Sequence, residues 1–403
     1  MVGMASSPQA GGVMLNPGVL LVVPEAASFA AFFKGVATAC LDAGYRVGLA
    51  VDNGSVDATW HDRRIAVYPM PAYRAGNPSS LLRAGAALRQ AVAAFEPALV
   101  HSHFLAGCLV AAIARAVFGS KGPAWIGTFH GLHGPTADDI ASRVIAGCEL
   151  WAARRLDSVW VLTRDDQDYL RSAGGVGMVN LYGSYGVGCD LQRFDRSRFP
   201  PEAKNDARRE LGIGGADFVV CYVGRAVSFK GYPEVIRGFW RMAASHKAAW
   251  LVVVGAEDTV HRTGLRREES RRMMKDSRII RVGWKTDVVP MLLASDVLAL
   301  PSRREGRSVA IMEALACGIP VVTSASRGCG DVVRHGVDGL VLEDVSAEAV
   351  GDALTMLLND SLLRQRMSSN AIAGRSRFSR LAYEREQLAI YRRFFDLHER
   401  IVA

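Results

Sequence analysis

Short apolar runs alternate with longer segments of helical periodicity along most of this sequence. Typical runs are residues 19–23, 98–101 and 218–223, which are rich in Val, Leu and Ala. Continuous apolar runs of this length predict buried strands, whereas apolar residues that recur every three or four positions predict amphipathic helices. Because strand, helix and strand alternate, we predict an α/β fold with parallel sheets and helices on both faces.

The same pattern predicts the bounds of the individual elements. It predicts strands over residues 19–23, 45–51, 63–68, 98–101, 125–129, 158–162, 218–223, 250–254, 278–282, 297–300 and 320–323. It predicts helices over residues 29–43, 77–95, 140–155, 262–275, 346–359, 361–374 and 381–402. Residues 1–17 are predicted to be a loose tail.

The length of the chain favours two domains. The sequence has 403 residues, which is more than a single core of ordinary size uses. Residues 200–215 are charged and interrupted by Pro and Gly, as is typical of a linker with a short helix.

The stretch 301–343 contains two glutamates in a suggestive setting. Glu305 lies in a turn before a predicted helix, Ser308 can cap that helix, and Glu313 lies a little over one turn inside it. Gly318 and Pro320 end the helix. The first backbone N–H groups of a helix have no partner inside it and lie at the positive end of its dipole.

That setting suits a ligand with anionic oxygens and hydroxyl groups. The N–H groups can meet the anion, and a carboxylate can accept two hydrogen bonds from a vicinal diol such as a ribose. The plainer alternative is a solvated Glu305 and an ordinary helix glutamate at 313.

A second pattern predicts a diphosphate site. The strand at 218–223 ends in Gly224-Arg225, and Lys230-Gly231 follows five residues later, just before Tyr232-Pro233 opens a helix. Glycine, arginine and lysine at a strand end and a helix N-terminus are suited to binding phosphate oxygens. Two solvated cations are the alternative.

Together these segments resemble the retaining glycosyltransferases of family 4. The first segment reads S-x-x-E-G-x-x-x-x-x-x-E-A-x-A-x-G-x-P-V-V from Ser302, and the second reads G-R-x-x-x-x-K-G from Gly224. Residues 185–194, Y-G-V-G-C-D-L-Q-R-F, resemble the G-V-D-x-x-x-F segment of that family. The match is strong over about residues 218–345 and weaker over 19–195.

The resemblance implies the GT-B fold, which has two Rossmann-like doubly wound domains facing a central cleft. We therefore expect an acceptor-side domain over residues 1–195 and a nucleotide-sugar-binding domain over 196–375. The final helix, 376–403, is expected to cross back onto the first domain.

The resemblance also implies roles for individual residues. Arg225 and Lys230 would neutralise the donor diphosphate, Glu313 would hold the ribose diol, and Glu305 would hold hydroxyls of the donor sugar. The N–H groups of Gly306, Arg307 and Ser308 would assist Glu305. His130, in the T-x-H-G segment 128–131, would contact the same sugar from the other domain. The catalytic candidates are thus His130, Arg225, Lys230 and Glu305.

The remaining donor-site candidates are mostly backbone positions. The base is expected to bond to backbone groups of the segment at 283–287. Gly224, Gly255, Gly283 and Trp284 complete the predicted donor site.

Two features of the first half depart from the pattern or stay open. The loop 24–28, P-E-A-A-S, lacks the Gly-Gly pair that many family members carry there, so its contact with donor or acceptor is open. His101 and His103 lie on one face of a strand, but no third ligand presents itself, so we predict no metal there. The resemblance favours a structural or acceptor-side role for the two histidines. His133 is a weaker candidate than His130 for the donor sugar.

Net charge, cysteine spacing and the length of apolar runs restrict the partners and the cellular location that we expect for this protein. The net charge of +8 suits an anionic donor, a phosphate-bearing acceptor or an anionic membrane surface, and no nucleic-acid module is recognisable. The seven cysteines are widely spaced with no C-x-x-C, so we expect a reducing compartment and no zinc. No basic leader and no run of about 20 apolar residues is found, so the predicted location is cytoplasmic, with peripheral contact to the inner face of the cytoplasmic membrane as a further expectation.

The reaction implied by the resemblance is transfer of a sugar from a nucleotide donor to an acceptor hydroxyl with retention at the anomeric carbon. UDP is the expected nucleotide of the donor, and GDP is the alternative that stays open. No cofactor and no metal are expected. The first half resembles transferases of bacterial surface-polysaccharide assembly, whose acceptors are usually polyprenyl-diphosphate-linked saccharides. The alternatives are an epimerase or phosphorylase with the same fold, or a catalytically silent subunit that binds nucleotide sugar.

Overall fold

The structure, a computed structural model, describes residues 16–52, 62–116, 122–137, 139–183, 185–258 and 262–402, with side chains as far as residue 396. Most of the predicted tail therefore lies outside the described residues.

Strands and helices alternate as the apolar pattern predicts. The strands are β1 (Gly18–Val23), β2 (Arg46–Asp52), β3 (Ile65–Met70), β4 (Leu99–His103), β5 (Ala124–Phe129), β6 (Ser158–Val161), β7 (Met178–Leu181), β8 (Phe218–Val223), β9 (Ala249–Val254), β10 (Ile279–Gly283), β11 (Val297–Leu300), β12 (Val321–Ser324) and β13 (Gly339–Leu342). The helices are α1 (Ala26–Ser28), α2 (Lys34–Asp42), α3 (Pro78–Phe95), α4 (Phe104–Arg115), α5 (Ile140–Ala153), α6 (Arg164–Ser172), α7 (Ala203–Glu210), α8 (Tyr232–Ala243), α9 (Arg267–Lys275), α10 (Val289–Ala294), α11 (Val309–Ala316), α12 (Ala347–Asn359), α13 (Ser361–Ala373) and α14 (Arg380–Val402).

The strands form two sheets. The seven-stranded sheet has the order β3-β2-β1-β4-β5-β6-β7, and the six-stranded sheet has the order β10-β9-β8-β11-β12-β13. The strand pairs β1–β2, β1–β4, β8–β9 and β11–β12 are all parallel. In both sheets the chain starts in the middle, moves to one edge and then returns to build the other half. The predicted α/β architecture of two doubly wound Rossmann-like domains is confirmed.

The chain divides into two compact units. The first runs to Ile126 and takes up the chain again from Leu388, and the second is Gly127–Gln387. In the first unit all six residues of β1 are buried between helices. The Tyr391 hydroxyl of α14 lies 2.7 Å from His101 Nδ1, so the end of the last helix belongs to the core of this unit. The domain bounds drawn from the sequence stay a prediction.

In the second unit, the core is built on β8, β9, β11 and β12. Their residues are almost entirely inaccessible to solvent, and α8 and α11 cover them with apolar faces. These four strands are parallel, so their carboxyl ends lie at one edge of the sheet, where ligands bind in open α/β folds.

Two predicted helices differ from the observed ones. The helix predicted over 29–43 is α1, a π-helical turn at Phe29–Phe33 and then α2, and this wider turn leaves Phe29 and Phe33 both buried. The helix predicted over 262–275 begins only at Arg267. Gly264 has a φ of +79°, which a right-handed helix excludes, and the Glu269 carboxylate then accepts the N–H of Arg266 at 2.7 Å.

No helix within the described residues combines the length and apolar character needed to cross a membrane.

Candidate active site

Three glycines at strand ends bring the backbone of the six-stranded sheet together. Gly224 follows β8, Gly255 follows β9 and Gly283 ends β10. The Gly255 N–H donates to the Gly283 carbonyl at 2.8 Å, and a Cβ on Gly255 would lie 1.9 Å from the Gly224 oxygen. Only glycine fits at position 255, because a side chain there would overlap backbone. The three predicted glycines therefore lie side by side.

A cavity of about 560 Å³ opens at these strand ends. Trp284, 69% exposed, is one of its walls, as are the predicted Gly224, Arg225 and Gly255. The full lining is Val223, Gly224, Arg225, Val254, Gly255, Ala256, Glu257, Asp258, Trp284, Lys285 and Val288. The cavity thus has backbone edges, an aromatic ring and charges of both signs.

Each of the two predicted phosphate-binding cations is paired with a carboxylate. The Arg225 guanidinium donates to Asp258, and the Lys230 ammonium donates to Glu305. Half of the Arg225 side chain is exposed, whereas Lys230 and Glu305 are mostly covered. Lys230 ends a 3₁₀ turn, and Gly231 after it has a φ of +72° and lies against the Pro301 carbonyl. Asp258 was not singled out from the sequence, although it lies only four residues beyond the end of β9.

The segment around Gly306 is packed between two other loops. A Cβ on Gly306 would lie 2.1 Å from the His130 carbonyl oxygen, and one on Gly328 would lie 2.3 Å from the Gly306 oxygen. Gly131, with a φ of +115°, lies against the Gly306 nitrogen. The structure therefore brings the T-x-H-G segment and the E-G segment together, as the predicted site requires.

The start of α11 differs from the prediction. Ser308 is the N-cap residue, but its hydroxyl makes no capping hydrogen bond. Its N–H donates to the Gly328 carbonyl at 3.0 Å, so this N–H is already used. The turn at Gly328 lies too close to Gly306 for a side chain at position 328. Its carbonyl therefore occupies the position at the Ser308 N–H that we predicted for a ligand.

The Arg307 side chain makes contacts of its own, whereas the prediction for this residue concerned its backbone N–H. Its Nε donates to the Leu162 carbonyl at 3.0 Å, and its guanidinium lies 4.9 Å from the centre of the Tyr185 ring. Burial lowers the pKa of the guanidinium. The side chain thus fastens the loop before α11 to the end of β6, and only its backbone adjoins Glu305.

Glu313 is held in a mostly dry environment on α11. Burial raises the pKa of Glu313 to about 7, while the positive charges of Arg380 and Arg193 oppose that rise. Arg193 donates to Asp287 and to the Thr286 carbonyl, both at 2.9 Å. Arg193 therefore connects the surroundings of Glu313 to the loop after β10, a link that the sequence pattern did not reveal.

His130 and His133 occupy different environments. Burial lowers the pKa of His130 to about 3, so its imidazole is neutral at physiological pH. His133 Nδ1 lies 2.8 Å from the Glu149 carboxylate, which also accepts the His133 N–H at 2.8 Å. His133 is therefore tied into the scaffold of the loop, and His130 is the histidine beside Gly306.

A buried ion pair holds the same loop. Arg327 and Asp166, 4% and 0% exposed, form an ion pair, and Arg327 also donates to the Leu132 carbonyl. The Leu132 N–H in turn donates to Asp166 at 3.3 Å. Thr163 Oγ1 accepts the Asp166 N–H at 3.3 Å, and no sequence motif identifies Arg327 as the partner of the Asp166 carboxylate.

The two histidines of the H-x-H motif lie in the first unit. Their ring centres are 4.1 Å apart, and His103 stacks on Phe33 at 4.0 Å. No group of three His, Cys, Asp or Glu side chains that could hold a metal occurs within the described parts of the chain.

Two parallel Rossmann-like sheets, with an E-x7-E helix and with Gly224, Arg225 and Lys230 at one sheet edge, are the arrangement expected of the GT-B fold of glycosyltransferases. Profiles of two domain families match: the glycosyl transferase 4-like domain over residues 30–180 and the glycosyl transferases group 1 domain over residues 203–374. The chain therefore belongs with the proteins that carry a glycosyl transferase 4-like domain followed by a glycosyl transferases group 1 domain.

Curated relatives are bacterial glycosyltransferases. An N,N'-diacetylbacillosaminyl-diphospho-undecaprenol alpha-1,3-N-acetylgalactosaminyltransferase of Campylobacter jejuni is 26% identical over 54% of this chain and 53% of its own length. A GDP-mannose-dependent monoacylated alpha-(1-6)-phosphatidylinositol monomannoside mannosyltransferase of Corynebacterium glutamicum is 29% identical over 47% of this chain and 49% of its own length. The chain thus spans about half the length of these two relatives.

Solved structures support the fold. The sucrose-phosphate synthase of Thermosynechococcus elongatus superposes with a TM-score of 0.78 at 21% identity, covering 95% of this chain and 100% of that one. Anabaena Alr3699/HepE, in complex with UDP and glucose, superposes with a TM-score of 0.74 at 20% identity, covering 93% and 98%.

Proposed function

We propose that this protein is a retaining glycosyltransferase that moves a sugar from a UDP-linked donor to an acceptor hydroxyl. The observation that carries the proposal is a single cluster at the carboxyl edge of the six-stranded sheet. There, Arg225 lines a cavity bordered by Gly224 and Gly255, Lys230 lies in the turn after the same strand β8, and each of the two cations is paired with a carboxylate.

The two ion pairs suit exchange with a donor diphosphate. Diphosphate oxygens compete with Asp258 for Arg225 and with Glu305 for Lys230, because phosphate is a strong acceptor for both cations. Charge that develops on the leaving diphosphate is stabilised best by cations that are already in place in a dry site. Arg225 and Lys230 take that role, and the released Glu305 carboxylate accepts hydrogen bonds from donor-sugar hydroxyls.

The remaining roles follow from position and charge. Glu313 holds the ribose diol, and Trp284 with the Gly255 and Gly283 backbone borders the base. His130 is neutral, so its ring can donate to or accept from a sugar hydroxyl without bringing a charge. The leaving phosphate itself assists deprotonation of the acceptor, so the proposal needs no metal and no cofactor.

The names of the relatives indicate the acceptor class. The Campylobacter enzyme is named for a diphospho-undecaprenol substrate and the Corynebacterium enzyme for a phosphatidylinositol mannoside. We therefore propose a lipid-linked saccharide as acceptor, reached at the inner face of the cytoplasmic membrane. The Corynebacterium name specifies GDP-mannose, which keeps GDP as the second choice of base.

Thermal unfolding with UDP, GDP, ADP and CMP, without added metal, is the first test. A ligand that binds only the folded state raises Tm in proportion to RT ln(1 + [L]/Kd). We expect a selective shift with UDP that is lost in Glu313→Ala. No shift with any nucleotide would contradict the donor site.

Transfer is tested separately with UDP-sugars and a polyprenyl-diphosphate-linked acceptor, with the anomeric configuration of the product read by NMR. An α-linked product from an α-linked donor supports retention. Nucleotide binding without transfer, restored only by a partner protein, would contradict the transferase and support a silent subunit. Conversion of the nucleotide sugar without acceptor would support an epimerase, and release of a sugar phosphate would support a phosphorylase.

A further inference from the structure

Helix α5 turns an apolar row outward. Ile140, Val144 and Trp151 are 80%, 62% and 38% exposed. Their spacing of four and seven residues places them on one face of the helix, together with the exposed Gly147. A surface helix ordinarily shows polar residues on this side, so the row is unusual for a face in contact with water.

The opposite face of α5 packs into the protein and carries the helix's one acid. Ala146, Ala152 and Ala153 are buried there beside Glu149, which is 0% exposed. Small side chains let the helix lie close to the core, and the carboxylate accepts backbone N–H groups of His133 and Gly134. The exposed apolar row is therefore not an unused part of the core face.

The charges beside the row are positive. Arg143 lies in the second turn, and Arg154 and Arg155 follow at the end. The Arg155 guanidinium lies 4.2 Å from the Trp151 ring centre, a pairing suited to a boundary between apolar and charged surroundings. Along the chain, the described surface acids that flank the helix are Asp139, whose carboxylate accepts the Ser142 N–H, and Asp157.

An apolar row with Trp, flanked by arginines, matches the chemistry of an anionic bilayer surface. Apolar side chains gain by entering the acyl boundary, and each arginine gains from the negative surface potential. A protein partner would be expected to offer carboxylates to these arginines, but it would not require the unbroken apolar row between them.

We propose that α5 docks the protein on anionic phospholipid, with Ile140, Val144 and Trp151 in the acyl boundary and Arg143 and Arg155 among the head groups. The inference is independent of the proposed sugar transfer. Because Glu149 on the same helix holds His133 and Gly134, docking also fixes the loop after His130 with respect to the lipid surface.

The test is cosedimentation of the full chain with vesicles, in the absence of donor and acceptor. One vesicle type is phosphatidylcholine alone and the other is phosphatidylcholine mixed with phosphatidylglycerol. We expect binding to the anionic vesicles, weakened by salt, and little binding to phosphatidylcholine alone.

Two variants separate the apolar and the charged contributions. Ile140→Ser/Val144→Ser/Trp151→Ser and Arg143→Gln/Arg155→Gln should each bind anionic vesicles at least about tenfold more weakly. A matched control is Met356→Ser/Leu362→Ser, which changes side chains 53% and 69% exposed on α12 and α13 and should bind like the unchanged protein. Circular dichroism checks that each variant is folded. If the apolar variant does not fold, the arginine variant alone still tests whether α5 binds anionic vesicles.

Three results would overturn the proposal. The first is no binding of the unchanged protein to anionic vesicles. The second is equal binding by both variants and the control. The third is a dimer in light scattering that the apolar variant dissociates without any change in vesicle binding, since the row would then be a contact between copies of the chain.

Discussion

The Lys230 ammonium and the Glu305 carboxylate form an ion pair although 75 residues separate them in the sequence. Lys230 comes from the turn after β8 and Glu305 from the loop after β11, two strands that are neighbours in the six-stranded sheet. A mostly covered pair of this kind holds the Lys230 ammonium near its place before any donor binds. Donor diphosphate would replace one acceptor of Lys230 with another, at little cost in reorganisation.

Removal of the Lys230 ammonium should therefore affect turnover strongly. We expect Lys230→Ala to lower kcat/KM for sugar transfer at least about a hundredfold, or roughly 2.7 kcal/mol of transition-state stabilisation. Steady-state kinetics with donor and acceptor varied in turn measures this. The control is Lys247→Ala, at an exposed position beyond the other end of α8, which should leave kcat/KM unchanged. A folded Lys230→Ala enzyme with near-normal turnover would disprove the assigned role.

The raised pKa of Glu313 predicts a pH-dependent stability. The pKa of Glu313 is about 7 in the folded state, above its ordinary value of 4.5. Between pH 4.5 and pH 7, the folded state therefore binds more protons at this carboxyl than the unfolded state does. Stability contributed by the protonated carboxyl is thus present at low pH and is lost as pH rises towards and through about 7. Glu313→Gln removes this loss and should raise the free energy of unfolding at about pH 8 by up to about 3 kcal/mol.

Urea unfolding of both proteins at about pH 5 and about pH 8 measures the effect. At the lower pH the two should differ little, because the wild-type carboxyl is then protonated in the folded state. A stability difference that is the same at both pH values would contradict a titrating Glu313.

Much of the fold is predictable because each buried strand is a short apolar run. The runs at 19–23 and 218–223 become β1 and β8 almost residue for residue. Helix starts are less predictable, since local hydrogen bonds decide them. In α9 the positive φ of Gly264 and the Glu269 carboxylate delay the helix by several residues relative to the charge pattern.

The site divides in a similar way. Motif residues with fixed spacing, such as Lys230 and Glu305, could be singled out from the sequence because their neighbours repeat a family pattern. Asp258, the partner of Arg225, and Arg327, the partner of Asp166, could not be singled out, because they belong to no motif and meet their partners only in three dimensions. The partners of backbone N–H groups cannot be predicted from the sequence either, as the hydrogen bond from the Ser308 N–H to the Gly328 carbonyl illustrates.

Close backbone contact at Gly255 predicts a severe effect of one methyl group. Gly255 has a φ of +141°, and an added Cβ would lie 1.9 Å from the Gly224 oxygen. We expect Gly255→Ala to separate the ends of β8 and β9 and to abolish the nucleotide-dependent rise in Tm. Gly212→Ala is the matched control, because Gly212 also has a positive φ, +71°, but nothing lies within 4 Å of its added Cβ.

The control should lose about 1 kcal/mol of stability from backbone strain and keep its nucleotide response. Equal losses in the two variants would mean that φ alone, and not the contact with Gly224, limits position 255. Normal nucleotide binding by Gly255→Ala would remove this strand end from the donor site.

The buried pair Arg327–Asp166 predicts a strongly asymmetric mutational cycle. Arg327→Met leaves the Asp166 carboxylate, which is 0% exposed, without its cation, and should lower the free energy of unfolding by about 3–5 kcal/mol. Arg327→Met/Asp166→Asn removes the buried charge as well and should recover a large part of that loss. Urea unfolding of the single and double variants measures the coupling.

The exposed pair Arg209–Asp206, 76% and 48% exposed, is the control, because it shows what a solvated ion pair contributes. Arg209→Gln should change the free energy of unfolding by less than about 1 kcal/mol.

Arg327 and Asp166 both bond to Leu132, so Arg327→Met should also loosen the loop that carries His130. We therefore expect Arg327→Met to lower kcat for transfer while the nucleotide-dependent rise in Tm persists, since the donor cavity contains neither residue. Loss of nucleotide binding with unchanged kcat would assign the pair to the donor site instead of the loop.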